Sequence, residues 1–144
     1  MKSFTTIVVT ALLASLTSAL PTTPDSSALQ VTKRACSGPG ATVAFSNDMT
    51  GAWVPATICM DNIAVDLPTV LAGSALDQNG QYLASSMSLT SGLANNPLCT
   101  VRSAAGELFG PLTAQSTYYK FGNDANQLQL VDLASSRVQC TVQG

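Results

Sequence analysis

Short runs of apolar or alternating residues, bounded by Gly, Asn, Asp, Ser and Pro, recur about every ten positions through most of the chain. Such a spacing predicts β-strands, since helices need longer stretches with apolar residues three and four apart. The runs fall at residues 41–45, 52–60, 82–90, 99–103, 107–112, 117–121, 127–133 and 137–142. Polar and apolar residues alternate in Gln127-Leu128-Gln129-Leu130, which places Leu128 and Leu130 on one face of a half-solvated sheet. Val138, Cys140 and Val142 do the same in the last run. Within Asp77-Gln78-Asn79-Gly80-Gln81, the pair Asn79-Gly80 signals a hairpin, because both residues accept the positive φ of a type I′ turn. Gly122-Asn123-Asp124-Ala125-Asn126 predicts another turn. Residues 66–73 fit either a helix of barely two turns, with Asp66 as cap, Pro68 in the first turn and Gly73 at the end, or a loop or strand. The regular strand spacing predicts an all-β domain, a small antiparallel β-sandwich or barrel. Its core is expected to draw on Val43, Phe45, Trp53, Val54, Ile58, Ile63, Val65, Leu83, Val101, Phe109, Leu128, Leu130, Val138 and Val142.

The first 34 residues depart from this rhythm. Met1-Lys2 is positive, residues 7–16 are apolar, and Thr17-Ser18-Ala19 is a small-residue cleavage site, which together predict a signal peptide over 1–19. The apolar stretch is too short to span a bilayer. Residues 20–34 are rich in Ser, Thr and Pro and cannot bury enough apolar surface to fold alone, as expected of a pro-segment. The segment ends in Lys33-Arg34, the dibasic pair that a kexin-type protease of the secretory pathway cleaves. A mature domain of 110 residues, 35–144, follows, enough for one modest core. The terminal Thr141-Val142-Gln143-Gly144 lacks the hydrophobic tail of a lipid-anchor signal, so a secreted, extracellular protein without a membrane anchor is expected. There is no Asn-x-Ser/Thr sequon, and N-glycosylation is not expected.

Charge narrows the partners. Residues 35–144 hold three cations, Arg102, Lys120 and Arg137, against seven carboxylates, a formal charge of −4. Three scattered cations form no stripe to neutralise phosphates, so no nucleic-acid partner is expected. Few carboxylates also means little to protonate, and tolerance of mildly acidic fluid is expected. Four cysteines, Cys36, Cys59, Cys99 and Cys140, predict two disulfides in a secreted domain. Their wide spacing fits neither a redox motif nor a zinc site. Three pairings are possible. The preferred one joins Cys36 to Cys140 and Cys59 to Cys99, since the first bond would tie the ends together and close the longest loop.

No histidine occurs in the 144 residues, which removes Ser-His-Asp and Cys-His nucleophile systems. A carboxylate pair of the glycosidase kind would have to use the sole glutamate, Glu107, with Asp61, Asp66, Asp124 or Asp132. Each acid is better explained as a surface or turn residue. A calcium loop at Asp77 fails because its glycine comes two positions early and no acid closes it. The expectation is therefore a protein that is not an enzyme, with no catalytic residues, metal or cofactor. Tyr118-Tyr119, with Phe121 nearby and Trp53 elsewhere, suggests an aromatic site for sugar. Adjacent strand residues point to opposite faces, so one tyrosine belongs to the core and the other to the surface.

Signal peptide, pro-segment, Lys33-Arg34 junction and a four-cysteine β domain together resemble the small secreted cysteine-containing proteins of filamentous fungi, many of them effectors or elicitors. The resemblance covers the organisation of the whole chain and rests on no diagnostic motif. It implies a non-enzymatic protein that binds a host component, outside or inside the host cell, and modulates plant immunity or cell death; a monomer is expected. The alternative is a cell-wall or carbohydrate-binding protein of the secreting fungus, so the expected partner is a host protein or a cell-wall polysaccharide. A killer-type toxin fits less well, since such toxins are often cationic or more densely cross-linked. Hydrophobins, with eight cysteines, are excluded, and lysin-motif chitin binders are not evident. Candidate contact surfaces are Tyr118 or Tyr119, the Asn79-Gly80 tip, the loop 91–97 and the turn 123–126.

Overall fold

A computed structural model describes residues 35–122 and 127–144. The signal peptide, pro-segment and Lys33-Arg34 lie outside the described residues, as does the turn 123–126. Eleven strands, one short α-helix and one 3-10 turn are described: β1 Gly40–Asn47, β2 Ala52–Cys59, β3 Val65–Asp66, α1 Leu67–Leu71, β4 Asp77–Gln78, β5 Gln81–Ala84, β6 Ser86–Ser91, the 3-10 turn Leu93–Asn95, β7 Pro97–Arg102, β8 Leu108–Thr113, β9 Tyr118–Lys120, β10 Val131–Asp132 and β11 Arg137–Val142. They form three antiparallel sheets, a first in the order β2-β1-β6-β9, a second in the order β3-β11-β7-β8, and a small one, β10-β5-β4.

Alternation along the strands explains why the two larger sheets share one core. In β1, Ala41, Val43 and Phe45 point inward, while Thr42 and Ser46 on the opposite face are half-buried and the small Ala44 is buried. Val101, Cys99, Val138 and Cys140 do the same from β7 and β11. Leu67 and Leu71 of α1 join them, with Leu76, Leu133 and a cluster of Phe109, Tyr119 and Phe121 whose rings meet edge-on or tilted. At one border the sheets are stitched by an Asp61–Thr141 bridge and by the Asn62 N–H donating to the Cys140 carbonyl, so the sandwich closes there like a barrel. The all-β class is as the residue pattern predicts.

Both disulfides form, but in a different pairing from the expected one: Cys36 with Cys59 and Cys99 with Cys140. Strand register decides it. Cys99 lies directly opposite Cys140 across β7 and β11, with Cα atoms 4.1 Å apart. Gly40 faces Cys59, and the Met60 N–H reaches the Pro39 carbonyl, which brings the arm carrying Cys36 beside β2. Closing the longest loop weighs little against this, because the entropy of closure grows only with the logarithm of loop length.

Other expectations are corrected too. Residues 82–90 are two strands: at Ser85 the chain bends, and Ser85 donates its N–H to Ser46 O and shares its one hydroxyl hydrogen between Asp48 Oδ2 at 2.8 Å and Ser46 O at 3.1 Å. Of 127–133 only Val131–Asp132 is strand; Leu128 is exposed, Leu130 is half-buried, and Leu133 takes the core position. Trp53, Ile63 and Val142 are exposed as well. Val54 and Ile58 share the inward face of β2, so Trp53, one residue out of phase, must point outward. Val54 and Val65 pack against the core only partly, and Leu83 is half-buried. The helical alternative for 66–73 is the one realised, as a five-residue α1. Asp66 sits at its cap position but makes no side-chain cap bond; its carboxylate accepts from Arg137 Nε at 2.6 Å instead.

Candidate functional site

Register across the first sheet fixes which residues share its outer face. Phe45 faces Val54 and Met87 on the core side, so the neighbouring rows face outward. One row runs Trp53, Ser46, Ser86, Lys120, and the next Pro55, Ala44, Ser88, Tyr118. Strands lie about 4.8 Å apart, so four of them put Trp53 and Tyr118 roughly 14 Å apart across the sheet, at opposite edges and one row out of step. Trp53 is 56% exposed and Tyr118 57%. Between them the residues are small and mostly hydroxylic: Ser46 and Ser88 are half-buried, and Ala44 and Ser86 are buried. A third row pairs Thr42 with Thr57, whose hydroxyls are 3.5 Å apart, and Ser91 Oγ donates to Thr42 Oγ1 at 2.7 Å. The face thus offers the half-buried Ser46 and Ser88 hydroxyls between two exposed aromatic rings, with the threonine row beyond Tyr118. It can stack an apolar ring face and exchange hydrogen bonds with hydroxyl or amide groups.

The two adjacent tyrosines separate as strand geometry requires. Tyr118 belongs to this face, whereas Tyr119 packs inward against Phe109 and Phe121, with ring centroids 6.4 and 6.0 Å away. Trp53 is the residue that sequence reasoning missed as a surface group. The signal was present: Val54, Ala56 and Ile58 alternate, which leaves Trp53, Pro55 and Thr57 for the other face.

Asn79-Gly80 forms the tip between β4 and β5, with φ of 57° and 87°, the paired positive values of a type I′ turn. Asp77 organises the tip by accepting from Gly80 N and Gly73 N, both at 2.9 Å. Those two N–H groups hold its carboxyl below the usual carboxylate range, Gly73 contributing most. Burial, and then the Asp77 charge, pushes the Tyr82 phenol up. Gly80 precedes Ser88, the partner of Tyr118, by eight residues of mostly extended chain. The chain bends at Ser85 between them, and the tip and Tyr118 belong to different sheets.

The loop 91–97 has a structural duty. Gly92 and Asn96 adopt positive φ, and Asn96 and Gln143 bond reciprocally, with Gln143 N donating to Asn96 O and Asn96 Nδ2 to Gln143 O. The acids are dispersed among similar tasks: Asp132 Oδ1 accepts from Tyr82 N and Ala134 N, and Asp61 Oδ1 from Ile63 N. Glu107 is exposed beside the β7–β8 turn, and Asp124 lies outside the described residues. No group of three His, Cys, Asp or Glu side chains spaced for a metal occurs among the described residues, and no helix there is long and apolar enough to cross a membrane. Comparison with protein families, with curated proteins and with solved structures returns no match.

Proposed function

We propose that this chain is a secreted, non-enzymatic effector or elicitor of a filamentous fungus, which binds a host component through the outer face of the first sheet and so modulates plant immunity or cell death. The observation that carries it is the pair of exposed aromatic residues, Trp53 and Tyr118, at the two edges of that face. Exposed tryptophan and tyrosine are the residue types that most often anchor interfaces, because they bury a large area at low entropic cost. A two-disulfide β domain suits the oxidising space outside cells.

A second reading, a cell-wall polysaccharide binder of the secreting fungus, is favoured by the half-buried Ser46 and Ser88 hydroxyls between the same rings, since sugar rings stack on aromatic faces and bond to hydroxyl groups. One experiment separates the two. Protein purified from cells expressing all 144 residues, oxidised and separately reduced and alkylated, is infiltrated into leaves while cell death and the oxidative burst are scored. The oxidised protein is expected to elicit a response that the Trp53→Ala/Tyr118→Ala variant loses. Silence across several plant species, together with retention on insoluble chitin or glucan, would replace the elicitor reading with the polysaccharide one.

A further inference from the structure

A cleft of about 550 Å³ opens at the end of the second sheet, away from the aromatic face. Its lining comes from the turn after β7, the turn before β11, and the start of α1. Arg102 and Arg137 stand in its wall as register partners on β7 and β11. Residues so paired hold their Cβ atoms about 5 Å apart, and like charges there repel. Two of the three cations in a domain of formal charge −4 are thus brought together where strand pairing alone gives them no reason to be.

Each guanidinium is mostly unspent. Arg137 gives Nε to Asp66 at 2.6 Å, and Arg102 gives Nη1 to the Gly106 carbonyl at 3.1 Å. Their remaining N–H groups make no hydrogen bond with described residues. With Asp66 counted, the cleft still carries one net positive charge. Ser103, Ser135 and Ser136 add hydroxyl groups around it, and the Glu107 side chain does not line it.

We propose that this cleft binds a single oxyanion, a carboxylate or phosphate group, between the guanidinium groups of Arg102 and Arg137. The planar fork of arginine presents parallel N–H donors at the spacing of two oxyanion oxygens, and two such forks make a clamp that lysine would not. One net charge suits one anionic group. A long polyanion would meet the protein's overall negative field.

The test is an NMR titration of the isotopically labelled protein purified from cells expressing the full chain. Galacturonate and inorganic phosphate are the probes, with methyl galactoside and chloride at matched ionic strength as controls. Saturable shifts of the Arg102 and Arg137 Nε–H signals are expected with at least one oxyanion and with neither control. Saturation by galacturonate alone assigns a carboxylate, and by phosphate alone a phosphate group. Arg102→Gln leaves the Asp66–Arg137 pair intact and is expected to weaken binding about tenfold, the effect of losing one charged hydrogen bond. Non-saturating shifts with both oxyanions, or unchanged affinity in Arg102→Gln with its folded spectrum retained, would overturn the proposal.

Discussion

The two disulfides should contribute very unequally, although their loop lengths suggest near equality. In the chain-entropy account, closing a loop of sequence separation 41, as Cys99–Cys140 does, destabilises the unfolded state by about 3.9 kcal/mol. The separation of 23 closed by Cys36–Cys59 gives about 3.4 kcal/mol on the same basis. The difference lies in the native state. Cys99 and Cys140 are buried mid-strand between paired neighbours, so breaking their bond frees nothing in the folded protein. Cys36 instead anchors an arm in which Ser37 and Gly38 are exposed. Without its bond, two or three residues regain backbone freedom at about 1 kcal/mol each, which offsets most of the loss. For 110 residues the unfolding entropy is about 230 cal/mol/K, so Cys99→Ala/Cys140→Ala is expected to lower Tm by about 15–20 °C. Cys36→Ala/Cys59→Ala should lower it by about 5 °C or less. Circular dichroism melts of both variants decide it. Equal losses, or a drop below about 5 °C for the Cys99–Cys140 variant, would refute the argument.

Two further outcomes follow from the geometry. A Cβ added to Gly92 would sit 2.7 Å from the Gly40 carbonyl oxygen at a φ of 87°, so Gly92→Ala is expected to cost about 2–4 kcal/mol, read as a lower denaturant midpoint at constant slope. As for pH, the lowered Asp77 carboxyl stabilises the fold above the ordinary carboxylate range, and that contribution is lost only as pH falls through its depressed value. The raised Tyr82 phenol acts at the other extreme, its contribution persisting below about pH 10 and fading as pH rises beyond. Tm should therefore stay level from about pH 7 to 5 and fall only below about pH 4; a collapse between 7 and 5 would contradict it.

Local pattern was a good guide wherever one strand and its own turn settle the structure. Residues 137–142 are β11 to the residue, 52–60 is β2 with one residue added, and Asn79-Gly80 turns as its φ preference demands. What stayed hidden depends on residues distant in sequence. No Gly or Pro marks the bend at Ser85, because it is fixed by bonds to Ser46 and Asp48, more than thirty positions away. The alternation in 127–130 promised a strand, yet pairing begins only at Val131, opposite Ala84. The aromatic face is half legible: alternation separates Tyr118 from Tyr119 without saying which is exposed, while the expected core position of Trp53 runs against the phase of its own strand. The opposition of Arg102 and Arg137 was not legible at all, since it exists only in the register of strands 35 residues apart.

The bend at Ser85 has a consequence for how the domain breathes. One continuous stretch of chain serves as β5 in the small sheet and as β6 in the first, and on either side of the bend it is fastened to a different ladder. Many domains can release a peripheral hairpin while the centre stays shut, because the hairpin is joined to the rest only by loops. Here the peripheral ladder and the central one are joined by a single residue, Ser85, itself bonded to Ser46 and Asp48, so opening the first tugs on the second. The Asn79-Gly80 tip, though exposed and built from turn residues, is the end of a lever set in the core rather than a loose flap.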